Sequence, residues 1–380
     1  MDHIYITEQG QLVELCQQYQ RAEVLVIDTE FVRTRTLYPR LGLLQAYDGN
    51  TLALIDPVAL DDLIPFWQLL ENSEVRKVLH ACSEDLEVFL HTGKVKPSNL
   101  IDSQIMMAFL GHGISVGYAA MVKHFLAIEL DKSESRTDWT KRPLSDKQLR
   151  YAAADVEHLF TLYPKLLAQL SDAGWLAAAE QESEALVNRK FTPTDESQLY
   201  QTVKMAWRLR PEQLNRLQHL ALWRYQQAQK RDLPLGFVAK DHTLLALAQY
   251  NPKSVGAMAG LEGAEVQDIR HKGKAMLTVL KAANQAPADT YPPRIVRLDQ
   301  YPGYKQTYKR LKEFLQQIAQ EHQLAMENLS SKKQMNQFLS WHYKINNADK
   351  APEQVDLIQG WRAQLLAERL TDFANNKFIG

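Results

Sequence analysis

Cysteine is nearly missing from this chain: Cys16 and Cys82 are the only two in 380 residues, 66 positions apart and outside any C-x-x-C spacing. That excludes a zinc ribbon or finger and a disulfide framework, so a bound metal would have to use oxygen or imidazole ligands. Long apolar runs are missing too. No stretch of about 18 or more apolar residues occurs, and the opening MDHIYITEQG has neither a basic n-region nor an apolar h-region, so the expectation is no membrane span, no secretion and a cytoplasmic protein. A phosphate-binding G-x-x-x-x-G-K-[ST] loop is absent as well. Gly93-Lys94 is followed by Val95 and Gly273-Lys274 by Ala275, which argues against an ATP-driven motor.

What is present is a globular composition, 45% hydrophobic and 23% charged, long enough for two or three domains. The net charge of −1 hides an asymmetry. Residues 1–190 hold 18 Lys+Arg against 27 Asp+Glu and residues 191–380 hold 26 against 18, so the halves carry −9 and +8. An acidic half joined to a basic half fits a nucleic-acid partner whose phosphates the basic half meets, and also fits an ordinary solvated surface.

The acidic half mixes strand-like and helix-like segments. VLVIDTEF, LGLLQAY, TLALIDP and VRKVLHA read as strands, and SEDLEVFLH, IDSQIMMAFLG, GYAAMVKHFL and SDKQLRYAAADVEHLFTLYPKLLAQL as helices, which predicts an α/β domain over 1–194. Beyond FTPTDESQ the strand signals stop. Two all-helical domains are expected, at 204–286 and 294–380, separated by the proline-rich APADTYPPR. They read as a degenerate repeat. An offset of 91 pairs Leu220 with Leu311, Trp223 with Phe314, Leu233 with Leu324, Val238 with Leu329, Leu244 with Met335 and Leu247 with Phe338, apolar on apolar each time. The first module is strongly basic, with 13 Lys+Arg against 6 Asp+Glu over 204–281, and Arg270, Lys272 and Lys274 cluster in IRHKGKAM.

The acids are the informative residues. In VLVIDTEF, four apolar residues run into Asp28 and Glu30, which share a face of a strand and should repel. Such a pair is tolerated if one acid keeps a proton, if basic residues neutralise it, or if a cation is shared. In YAAADVEHLF, Tyr151 and Asp155 are four apart, a phenol one helical turn from a carboxylate. In HACSEDLEVF, Glu84 and Asp85 both fall in a first helical turn, where either also complements the helix dipole, and spacing does not choose between them.

IDTEF, HACSEDLEVF and YAAADV, in that order, resemble the three motifs of the DEDD nuclease superfamily, in the subclass with tyrosine in the third motif. DTEFVRTRTLYPRLGLLQ, ALIDP, LDKSESRTDW and RPLSDKQLRYAAADV extend the resemblance, and the two helical modules resemble HRDC domains. The resemblance implies a ribonuclease H-like mixed sheet with flanking helices. It implies that Asp28, Glu30, Asp85 and Asp155 bind two divalent ions, Mg²⁺ or Mn²⁺, with Asp28 bridging both, Glu30 and Asp155 completing the water-activating site, and Asp85 supporting the second ion. Tyr151 is then the catalytic tyrosine that positions water. The implied activity is two-metal 3′-5′ hydrolysis of RNA releasing 5′-mononucleotides, acting on precursor tRNA 3′ ends and other structured small RNAs, by a monomer. A DNA-directed repair or proofreading exonuclease and a noncatalytic RNA-binding scaffold are the rival readings.

Other residues carry two readings each. Arg33 and Arg35 fit phosphate contacts or surface pairing, and Trp139 and Arg142, in DWTKRP, fit a substrate-side loop or simple packing. Asp102 fits a helix cap, and His80 a satisfied core histidine. Trp207, Trp223 and Tyr225 fit helical core better than base stacking. GISVG matches G-x-S-x-G, but Ser115 follows a helix-like segment where a nucleophile elbow needs a strand.

Overall fold

The computed structural model describes residues 2–345 and 351–379. The α/β part is built on β1 (Ile4–Ile6), β2 (Val24–Val32), β3 (Arg40–Tyr47), β4 (Leu52–Ile55), β5 (Arg76–Leu79) and β6 (Leu100–Asp102), in the order β1-β4-β3-β2-β5-β6. β2, β3 and β4 form an antiparallel meander, while β1–β4, β2–β5 and β5–β6 are parallel. The sheet is therefore mixed, and β2 lies inside it, hydrogen-bonded on both sides.

Alternation along the strands sends their side chains to two different layers. Leu25 and Ile27 of β2, with Leu44, Ala46, Ala53 and Ile55, join a core shared with α1 (Gln9–Tyr19), α2 (Ile64–Glu71) and α3 (Asp85–Val88). Val26, Asp28 and Glu30 point the other way. Between α3 and β6 the chain is irregular, and after β6 come α4 (Ser103–Phe109) and α5 (Tyr118–Leu126). The face bearing Asp28 and Glu30 meets α6 (Asp146–Asp172), 27 residues long, which packs on β2, β3 and β4. Ser145 starts α6 with a reciprocal capping box to Gln148, which fixes where its first turns lie. α7 (Leu176–Phe191) follows and packs on β6.

The remaining helices are α8 (Pro211–Arg231), α9 (Leu235–Val238), α10 (Asp241–Tyr250), α11 (Val255–Ala259), α12 (Val266–Ala283), α13 (Tyr304–Glu321), α14 (Met326–Leu329), α15 (Lys332–His342) and α16 (Gly360–Asn375). The offset of 91 holds at the level of elements: α9 and α14 start 91 residues apart, and so do α10 and α15. Leu220, Leu311, Val238, Leu329, Leu244, Met335, Leu247 and Phe338 are all buried.

The chain divides into two compact units. One comprises residues 33–38 and 193–304, with its own core around Leu214, Leu217, Leu244, Leu247 and Met276; within it, the backbone N–H groups of Leu37 and Tyr38 both donate to Asp232 Oδ1. The other comprises the sheet domain together with the described residues from Lys305 on. Inside that unit α16 docks on α7. Glu182 accepts from Trp361 Nε1 at 2.9 Å and pairs with Arg362, while the Trp361 ring lies 5.0 Å from Phe109 and 6.0 Å from Trp175.

Candidate active site

β2 ends at the site because its last residues change partners. Its pairing with β3 is regular through Glu30↔Leu43 and slips by one residue between Glu30 and Phe31, a bulge that bends the strand just past the second acid. Asp28 and Glu30 consequently project from one face toward the first turns of α6, which carry Tyr151 and Asp155. Single oxygens of Asp28, Glu30 and Asp155 all lie within 4.8 Å of one another.

Asp85 enters from the start of α3. It is buried and accepts a hydrogen bond from Thr29 Oγ1, the residue between the two β2 acids, whereas Glu84 is exposed. The structure thus separates a pair that spacing left undecided. Thr29 points away from Asp28 and Glu30, as alternation requires, and that is how it reaches Asp85.

Burial, joined by repulsion from the other acids at Asp28 and Glu30, holds these acids toward their protonated forms. Asp28 is raised well above the usual carboxylate range by burial and by the charges of Asp85, Asp155 and Glu30, and Glu30 by burial and by Asp155 and Asp85. Burial pushes Asp155 up to about 7 against the hydrogen bond from Tyr151, and Asp85 up to about 7 against the bond from Thr29. The Tyr151 phenol is raised by burial and by the surrounding acids. Among the described residues, no basic side chain is a leading cause of these shifts.

Asp28, Glu30 and Asp155 line a cleft of about 220 Å³ with Tyr151, Tyr118, His80 and Leu159, and Asp85 lies outside that lining, behind Thr29. Tyr118, at the start of α5, donates to the backbone oxygens of Ala154 and Asp155, clamping α6 where its acid sits. Sequence reasoning passed over Tyr118, since a tyrosine opening a helix carries no signal of what its hydroxyl reaches. His80 uses both ring nitrogens, toward Ser103 Oγ at 2.9 Å and the Val116 carbonyl at 3.0 Å, and burial lowers its pKa. Asp102 caps α4 and also accepts from the backbone of Ala81 and Cys82.

Trp139 is buried, with its ring 6.0 Å from that of Tyr151. Arg142 is bound to Asp56 and to the carbonyls of Gly42, Trp139 and Lys141. Arg33 and Arg35 are exposed and belong to the unit formed by residues 33–38 and 193–304. Arg270 and Lys274 are exposed on α12, and Lys272 donates to the Phe237 carbonyl at 2.8 Å. Ser115 lies in the loop between α4 and α5, without the strand that a nucleophile elbow needs.

Comparison with known proteins gives this arrangement a class. Residues 3–171 match the domain described as a 3′-5′ exonuclease, so the fold and its acidic cleft are those of a DEDD-type nuclease. Residues 213–280 match the HRDC domain, and residues 302–370 match the C-terminal HRDC domain of ribonuclease D. Ribonuclease D of Cronobacter turicensis is 41% identical, covering 98% of this chain and 100% of its own, and that of Shewanella sp. strain ANA-3 is 44% identical, covering 96% and 92%. The crystal structure of Escherichia coli RNase D superposes with a TM-score of 0.93 at 40% identity, covering 99% of both chains. The chain belongs to the ribonuclease D family. It is a 3′-5′ exoribonuclease, an enzyme that hydrolyses phosphodiester bonds.

Proposed function

We infer that Asp28, Glu30, Asp85 and Asp155 hold two divalent cations, Mg²⁺ or Mn²⁺, against the 3′ end of an RNA, and that Tyr151 orients the attacking water. The observation that carries this reading is the convergence of the Asp28, Glu30 and Asp155 oxygens within 4.8 Å in one cleft. The donor set is all oxygen, and burial keeps the Cys82 thiol protonated, which suits hard cations. Bound there, such cations supply an ionised water and positive charge for the departing oxygen.

The chain's own groups have narrower tasks. With its pKa raised, the Tyr151 phenol stays protonated and serves as a hydrogen-bonding group rather than a base. His80 stays neutral with both nitrogens engaged, so it shapes the wall of the cleft and does not shuttle protons. Trp139 supports the Tyr151 ring, and Arg142 anchors the loop that carries Trp139.

The substrates in this reading are precursor tRNA 3′ ends and other structured small RNAs, shortened to release 5′-mononucleotides by a cytoplasmic monomer. The E. coli relative is described as an exoribonuclease involved in structured RNA processing. Residues 1–194 are assigned to chemistry, and 204–286 and 294–380 to two HRDC modules. Arg270, Lys272 and Lys274, with Arg33 and Arg35, are assigned to phosphate contacts. End-labelled RNA and DNA digested with Mg²⁺, Mn²⁺ or chelator test this. Stepwise shortening from the 3′ end, strictly metal-dependent and faster on RNA, is expected. Equal rates on DNA would favour a repair-type enzyme, and shortening from the 5′ end would overturn the reading.

A further inference from the structure

Gln45 is fully buried at the centre of β3, and neither polar atom of its carboxamide has a hydrogen-bond partner. Among the described residues no other side chain has two buried polar atoms in that condition. A buried amide is normally satisfied, because its desolvation is otherwise uncompensated. Leucine or methionine would fill the same space without that penalty, as Leu43 does two residues earlier on the same face. The retained amide therefore calls for an explanation.

The register supplies one. Gln45 is the direct antiparallel partner of Asp28. Directly opposed residues of an antiparallel pair put their side chains on the same face, with Cβ atoms about 4.5–5.5 Å apart. On its other side Gln45 faces Leu54 of β4, which offers no polar group. Gln45 does not line the cleft. It stands beside Asp28 on the side away from the opening.

We propose that Gln45 is a positioning residue for Asp28: when cations occupy the cleft, its amide N–H donates to the Asp28 carboxylate and fixes the orientation in which that carboxylate binds. A metal-bound carboxylate keeps lone pairs directed away from the cation, and outer hydrogen bonds to ligands set their geometry and basicity. Asp28 follows Ile27 directly in a rigid strand, and its carboxylate meets the backbone N–H of Thr29. Gln45 is the neighbour on its own face with a donor to spare.

The inference rests on the metal-site reading above, and its test separates the two. Mn²⁺ binding is measured by calorimetry on the full chain without RNA, for wild type, Gln45→Met and Asp28→Asn. Gln45→Met keeps the length and removes the amide. Its folding and its thermal midpoint without metal should hold or rise, while Mn²⁺ affinity should weaken by roughly 10–100-fold. With short single-stranded RNA, kcat should fall and KM should stay within about twofold, the split expected when a group acts on the reacting centre rather than on binding. Unchanged Mn²⁺ affinity in Gln45→Met beside a large loss in Asp28→Asn would overturn this inference and leave the metal site standing. Unchanged affinity in both would remove the metal site as well. Should Gln45→Met fail to fold, the wild-type enzyme with ¹⁵N-labelled glutamine decides: Mg²⁺ should shift the Gln45 side-chain amide protons and slow their exchange, and an unperturbed amide overturns the proposal.

Discussion

The guanidinium of Arg142 grips the carboxylate of Asp56 through two bonds, Nε to Oδ2 and Nη2 to Oδ1, each 2.6 Å. Asp56 directly follows β4, opening the turn there, and also accepts from the Tyr5 hydroxyl, so the edge of the sheet holds the loop that precedes α6. That loop places Trp139 against Tyr151. Asp56 is nearly inaccessible, and Arg142 keeps about a fifth of its side chain exposed. Removing one partner of such a pair strands the other charge and typically costs about 3–5 kcal/mol. Asp56→Ala should therefore lower stability by roughly that amount in urea unfolding, and also reduce kcat through Tyr151. A variant as stable as wild type would show that the pair is no anchor.

Tyr151→Phe keeps the ring on Trp139 and removes the hydroxyl that bonds Asp155. Single-turnover cleavage at saturating enzyme should slow by about 10²–10⁴-fold, the range for a positioned proton-handling group, while Mn²⁺ affinity changes little. Equal single-turnover rates would show that the hydroxyl takes no part in the chemical step.

The raised acids give the metal-free enzyme a signed pH dependence. Asp85 and Asp155 have folded-state pKa values of about 7, above their ordinary values near 4. A group raised in the folded state contributes stability that is full below its unfolded pKa and is lost as pH rises through the folded one. In chelator, these two acids should therefore make the protein progressively less stable from about pH 4 to about pH 7, with no further loss from them beyond. Mg²⁺ should restore what is lost, so the metal-induced rise in thermal midpoint should be small at pH 5 and large at pH 8. A rise independent of pH would mean that the ion binds elsewhere.

The basic cluster calls for a refined variant. Lys272 is tied to the Phe237 carbonyl and lies near Asp268, so replacing it disturbs α12 as well as charge. Arg270→Ala with Lys274→Ala removes exposed charge alone. Binding to a precursor tRNA should weaken, and the log-log salt slope should fall by roughly 0.7–0.9 per lost phosphate contact, with short oligonucleotides cut nearly as before. An unchanged slope would leave the cluster without a part in holding RNA.

The four longer strands were legible because their apolar runs are bounded by turn residues: VLVIDTEF, LGLLQAY, TLALIDP and VRKVLHA correspond to β2, β3, β4 and β5. β1 and β6 are three residues each, too short to show a period. LID of β6 merged into the helical pattern of IDSQIMMAFLG, although Asp102, read as a cap, marks the boundary where α4 begins. Asp28, Glu30, Tyr151 and Asp155 were legible as misplaced polar groups in regular elements. Gln45 was not, because a glutamine within LGLLQAY reads as one more polar residue on a half-exposed strand, and only pairing reveals its neighbour. The partner of Arg142 was hidden for the same reason, since it lies 86 residues earlier in the chain.

The shared register of the two helical modules has an evolutionary consequence. If one ancestral module was copied, the copies have since come under different constraints. The later copy presents Trp361 and Arg362 to Glu182, and those side chains are bound to a neighbour within the same unit. In the earlier copy the last helix, α12, is not held in that way along its whole length, and its Arg270 and Lys274 are exposed. The last helix of the module thus presents open charged surface in the earlier copy and is fixed to a neighbour in the later one. Selection for new RNA shapes can act on the first without loosening the second, so among relatives the helix around Arg270 should diverge faster than the helix around Arg362.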